Sequence, residues 1–253
     1  MKTPPVNTPP VNNESIKTRC ASQTPAGSTS RAAGWTSAGV FSHIPAALSA
    51  LPHWVLWTAT DRNGKPTKLP KQVNGSAAKS NDPTTWTEFD SAADAYDPAI
   101  HAGVGFVFSK DDSFIGIDLD GCRDPETGKV EFWSQKIVDE VASYTEISPS
   151  GTGLKIFAES STQLAKGRKK ELPVERVCGK NPGIEIYSTG RFFAVTGNVF
   201  DGHGEVRDAT SAVDKLLATH WPNERPADPP LWRSDDAVVE RARKYVLQIP
   251  GAV

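Results

Sequence analysis

Two spacings that mark structural zinc are missing from this sequence. Its three cysteines, Cys20, Cys122 and Cys178, form no C-x-x-C, and an odd number of them argues against a disulfide framework. Its five histidines form no H-x-x-x-H, so a histidine-based metal site lacks its usual spacing. No apolar run reaches the ~18–20 residues of a membrane span, so no membrane partner is expected. The proline-containing start has no signal-peptide core, and a reducing, cytoplasmic compartment is the default expectation. An excess of one charge is lacking as well. The formal net charge is −2, so a polyanionic partner has to be met by a local basic surface or through metal ions.

The residues that are present read as a globular protein with a separate beginning and end. "TPPVN" occurs twice within residues 1–12, and Ser, Thr, Ala, Gly and Pro dominate residues 13–43. Residues 1–43 therefore read as a disordered leader that cannot bury enough apolar surface to offset chain entropy. Order is expected from Ile44. "IPAALSAL" suits a short helix and "HWVLWTA" a strand, with Asn-Gly turn chemistry next in "DRNGKPT". "NDPTTWTEFDSAADAY" reads as one capped helix. "GVGFVFS" and "FIGIDLD" read as a hairpin across "KDDS". "EFWSQKIVDEVAS" reads as an amphipathic helix with Phe132, Ile137 and Val141 inward. "YTEISPSGTGLKIFAE", a basic loop "KGRKKELPVERVCGKNPG", and paired strands "IEIYS" and "RFFAVTGNVF" complete the region. This order predicts an α+β domain over residues 44–220 with a largely antiparallel sheet. Residues 221–233 read as a linker. Residues 234–253 read as the start of a helical segment, capped by Ser234, in a chain expected to be a fragment.

Three motifs bear chemistry. In "FIGIDLDG" strand alternation puts Ile115, Ile117 and Leu119 on one face and Gly116, Asp118 and Asp120 on the other. Two carboxylates ~6.6 Å apart repel by about 2–3 kcal/mol at an effective dielectric of ~20. A divalent cation reverses the sign of that interaction. An exposed strand end satisfies the same pattern, and D-x-D-G also opens phosphatase and glycosyltransferase sites. In "SPSGTGLKIF" a Ser/Gly turn leaves backbone N–H groups for an anion, with Lys155 just behind it; a plain hairpin turn is the alternative. In "GIEIYSTGRFFAVTGN" the alternation repeats, with Glu185 as a third carboxylate and Arg191 as a planar fork for phosphate, or the two as a surface pair. Two basic clusters, Lys65/Lys68/Lys71 and Lys166–Lys170, are the available nucleic-acid backbone surfaces.

Taken in order, Ile117-Asp118-Leu119-Asp120, "SPSGTGLK" and Ile184-Glu185 resemble the archaeo-eukaryotic primase superfamily, specifically the primase–polymerase domains of phage and plasmid replication proteins. The resemblance spans about residues 50–200. It implies a two-part core with an RRM-like catalytic sheet, and template-directed nucleotidyl transfer by a two-metal mechanism. Asp118, Asp120 and Glu185 would hold Mg²⁺ or Mn²⁺. Ser150, Gly151, Gly153, Lys155 and Arg191 would bind the dNTP or NTP, and Lys68 and Lys71 the DNA primer–template. A helicase domain C-terminal to this one is expected as a partner, and the host cytoplasm as the location for a phage protein. The family usually carries histidine where this chain has Lys155, so a point charge replaces a neutral donor–acceptor. A catalytically inactive nucleic-acid-binding module of the same fold is the alternative.

Overall fold

The computed structural model describes residues 41–222. The expected leader up to residue 40, the linker beyond 222 and the helix from 234 lie outside the described residues. Within them the strands sort into two antiparallel sheets. The first has the order β2–β1–β3–β9, from β1 (Trp54–Arg62), β2 (Lys65–Lys71), β3 (Gly103–Phe108) and β9 (Arg191–Val195). The second has the order β5–β6–β4–β8–β7, from β4 (Phe114–Asp120), β5 (Tyr144–Ile147), β6 (Leu154–Glu159), β7 (Arg168–Glu171) and β8 (Gly183–Tyr187). Helices α1 (Ala46–Ser49), α2 (Phe89–Asp94), α3 (Phe132–Val141) and α4 (Thr210–His220) flank them. The α+β class expected from the sequence is the class observed. No helix among the described residues is long and apolar enough to cross a membrane.

The Asn-Gly turn forms as expected. Asn63 (φ 56°) and Gly64 (φ 75°) join β1 to β2 with Arg62 opposite Lys65, the two-residue loop whose twist suits a hairpin. Both longer hairpins are overturned. β3 lies in the first sheet and β4 in the second, and β8 and β9 part in the same way. The chain thus crosses between sheets at Ser109–Ser113 and returns at Ser188–Gly190. The single capped helix is also split. Asp82 caps only a 3₁₀ turn, Pro83–Thr85, and α2 starts at Phe89 after an extended Trp86. Phe132 is 82% exposed at the start of α3, while Ile137 and Val141 do turn inward. The basic "loop" contains β7.

Alternation divides the second sheet into two faces. Ile115, Ile117 and Leu119 of β4, with Ile156, Ile184 and Ile186, pack on α3 and α4 through Val138, Val141, Val213 and Leu217. Each such side chain contributes roughly 1.5–3 kcal/mol by burial. The opposite face meets the first sheet: Tyr144 and Phe157 join Phe106, Phe108 and Phe193 in an aromatic core. The Phe108 and Phe193 rings meet edge to face at 4.9 Å, an arrangement worth about 0.5–1.5 kcal/mol beyond area. Gly116 marks the closest approach. A Cβ there would lie 2.3 Å from Phe108 Cζ and 2.6 Å from Phe193 Cε2. The core already includes Phe41, whose ring meets that of Tyr96 at 5.5 Å.

Candidate functional site

The face of the second sheet that looks toward the first carries a row of charges, one from each strand. Register pairs Glu146 of β5 with Lys155 of β6, Lys155 with Asp118 of β4, Asp118 with Glu185 of β8, and Glu185 with Lys169 of β7. All but Lys169 are buried. Signs alternate along the row except at one step, where Asp118 meets Glu185. Like charges directly opposite each other on neighbouring strands destabilise a sheet. Asp120 lies one pleat further along the same face, opposite Gly183.

The structure supplies cations around that step. Lys155, 4% exposed, forms an ion pair with Asp118 and lies 4.4 Å from the Phe193 ring centroid. Lys169 pairs with Glu185, which also accepts a 2.6 Å hydrogen bond from Tyr187 Oη and has Arg191 Nη2 at 3.5 Å. Burial acts to raise the Glu185 carboxyl, but Lys169 and Tyr187 prevail and hold it below the ordinary range. Among the described residues Asp120 makes no such ion pair or side-chain hydrogen bond. Burial, and then the charge of Asp118, push it up to about 6.

Asp120 and Glu185 open onto a cavity of about 610 Å³ whose wall also includes Ser150, Thr152, Lys169 and Lys180. That volume lies within the ordinary range for small-molecule sites. Of the residues predicted to meet the nucleotide, Ser150 lines the cavity, whereas Gly151, Gly153, Lys155 and Arg191 do not. Lys155 is engaged with Asp118 instead, and Arg191 lies over the Tyr187 ring at 4.9 Å. The Ser/Gly turn is fastened to the exit of β4. Cys122 and Arg123 both donate backbone N–H groups to Thr152 O, and Arg123 Nη1 donates to Gly151 O at 2.9 Å. Gly153 is required because a Cβ would fall 2.6 Å from Leu119 O.

Lys68, read from sequence as a DNA-backbone residue, approaches this site across the gap between sheets. Loss of water and the Lys155 charge push its ammonium down to about 8, against the pull of Asp118 and Asp120. It also lies 5.3 Å from the Trp57 ring. Lys71 sits at the far end of β2, opposite Leu56.

Sequence reasoning missed Glu146. This fully buried carboxylate accepts N–H groups from Thr196 (2.9 Å) and Gly197 (3.1 Å) and the hydroxyl of Tyr144 (3.0 Å). Burial pushes it up to about 7, with those donors and Lys155 pulling the other way. It ties the end of β9 to the edge of the second sheet. The available signal was its alternation with Tyr144, which puts it on the Lys155 face.

Whether these residues suit a hard cation can be judged from their oxygens. Asp118 Oδ1 is buried with no hydrogen-bond partner. Asp120 beside it carries a carboxyl that a cation would relieve, and carboxylate oxygens are what Mg²⁺ and Mn²⁺ take. These two fit. Glu185 fits once Lys169 moves away, for among the described residues no group of three acidic, histidine or cysteine side chains is already placed to hold a metal ion.

No protein-family model matches the chain. It is 34% identical over 180 residues to a protein of Nitratiruptor phage NrS-1 named DNA primase-polymerase. The similar stretch is 70% of this chain and 24% of that relative's length.

Proposed function

This chain carries a domain of the primase–polymerase type, and from that premise we propose that it is a template-directed nucleotidyltransferase of phage- or plasmid-type DNA replication. One observation carries the reading. The charge row changes sign at every step but the Asp118–Glu185 step, and that step, with Asp120, lies beside the cavity. Asp118, Asp120 and Glu185 would hold Mg²⁺ or Mn²⁺, which when bound activates a primer 3′-oxygen and stabilises departing pyrophosphate.

The chain's own groups divide the remaining work. Lys155 is a positioning residue: its buried ion pair fixes Asp118 and keeps one carboxylate oxygen engaged while Oδ1 stays open. Lys169, with a side chain 63% exposed, can swing out to water, and a bound cation would take its place beside the buried Glu185 carboxylate. The hydroxyl of Ser150 faces the nucleotide, Gly151 and Gly153 donate their N–H groups to Ser148 and so shape the turn that presents it, and Arg191, beside Glu185 at the rim, supplies a fork for phosphate. Lys68 and Lys71 hold the DNA primer–template as point charges. A helicase domain is the expected neighbour in this reading.

The test is extension of a primed DNA template by the full chain with dNTPs or NTPs and Mg²⁺ or Mn²⁺. Wild type yields product, and Asp120→Ala yields none while its circular dichroism stays native and its unfolding midpoint does not fall. Extension by Asp120→Ala at the wild-type rate would sink the assignment. A second reading, an inactive nucleic-acid-binding module, is favoured by the cations already paired with Asp118 and Glu185. Its signature is a DNA mobility shift without product.

A further inference from the structure

Two connections flank the exit of β4, one on each side of that strand. The β5–β6 turn lies on one side, and residues 172–182, joining β7 to β8, on the other. The second connection folds back on itself. Leu172 N donates to Pro182 O and Lys180 N to Val177 O, each at 2.9 Å. Cys178 (φ 46°) and Gly179 (φ 73°) take the left-handed conformations of a tight hairpin turn. This turn is pressed against the aspartate strand, because a Cβ on Gly121 would lie 2.9 Å from Asn181 O and 3.1 Å from Lys180 O. The backbone that carries Lys180 is therefore set at a fixed distance from Asp120.

Lys180 and Asn181 line the cavity with Asp120, Glu171 and Glu185. The other lysine there, Lys169, is paired with Glu185. Among the described residues Lys180 makes no ion pair and no side-chain hydrogen bond. Across the cavity stand Ser150 and Thr152, whose hydroxyls are 2.9 Å apart. Hydroxyl donors on one side, an uncommitted ammonium on the other and carboxylates between them make up the donor set of a metal-bound polyphosphate. The space, about 610 Å³, is of the size that small-molecule ligands fill.

We infer that Lys180, presented by the 177–180 turn with Asn181 beside it, grips the terminal phosphates of the incoming nucleoside triphosphate opposite Ser150 and Thr152. The inference rests on the nucleotide-transfer reading and adds a binding residue that reading does not contain. Calorimetric titration of the full chain with dATP and with inorganic tripolyphosphate, both with Mg²⁺, tests it. Fluorescence anisotropy of a labelled primer–template at fixed salt runs alongside. Lys180→Ala is expected to weaken both phosphate ligands by the same factor, about tenfold, with Lys180→Arg recovering part of the loss and primer–template affinity held within about twofold. Unchanged tripolyphosphate binding in Lys180→Ala overturns the inference. Equal weakening of primer–template overturns it too, because Lys180 then contacts DNA. If wild type binds and extends while Lys180→Ala matches it, only this inference fails. If wild type binds neither phosphate ligand, the nucleotide site fails with it.

Discussion

Replacing Glu146 by glutamine isolates the energetic effect of one buried carboxylate. In the folded protein Glu146 titrates at about 7, against 4.5 in the unfolded chain. Between those pH values the native state keeps the proton and the unfolded chain has released it. Protons bound favour the native state, so stability is fully present below pH 4.5 and is lost as pH rises through about 7. Roughly 2.5 units at ~1.4 kcal/mol each give a loss of about 3 kcal/mol. In Glu146→Gln the amide oxygen in the Oε2 place still accepts from Thr196, Gly197 and Tyr144 Oη, the NH₂ takes the Oε1 place, and nothing titrates. Asp120, raised, and Glu185, lowered, bend the pH curve of both proteins and cancel in the difference. Urea unfolding of both proteins from about pH 4.5 to about pH 8 reads that difference. Glu146→Gln should gain about 3 kcal/mol on wild type across the range. A difference that stays flat within ~1 kcal/mol would refute a proton held by burial at Glu146.

Asp118→Ala leaves Lys155 buried without its partner and should cost about 3–5 kcal/mol. Asp120→Ala removes a repelled carboxylate and should leave the urea midpoint unchanged or higher at pH 7, so it is the cleaner test of activity. Gly116→Ala drives a methyl into the Phe108 and Phe193 rings, and a loss of about 1–3 kcal/mol in urea unfolding is expected. Arg123→Ala frees the Ser/Gly turn from β4. It should raise the nucleotide KM with kcat nearly unchanged and cost about 1–2 kcal/mol of stability.

Period-two alternation made the site strands legible. Ile115/Ile117/Leu119 and Ile184/Ile186 identify one buried face each, which assigns Asp118, Asp120 and Glu185 to the other. Strand partnership was not legible, because β propensity and turn residues describe a segment and its ends, not its neighbour. "KDDS" and "STG" have the chemistry of hairpin turns, yet each joins strands of different sheets. What separates them is tertiary: the rings of Phe108 and Phe193 fill the space over Gly116. Glu146 in "YTEI" looks like the solvent side of an edge strand until β9 delivers Thr196 and Gly197 to it. Lys180 was lost in a basic stretch that reads as a solvated loop. Its hold against Gly121 and its place in the cavity wall distinguish it, and both are tertiary.

The double crossing between sheets has a kinetic consequence. Phe108 of β3 pairs with Arg191 of β9, so the whole second sheet is spliced into the first between two adjacent strands. The last strand of the first sheet cannot reach its place until the inserted segment has collapsed far enough to bring its ends together. That closure entropy is met before the pairing returns anything. The inserted sheet, with every residue of the charge row, should therefore gain its hydrogen-exchange protection first, and β9 should lock last.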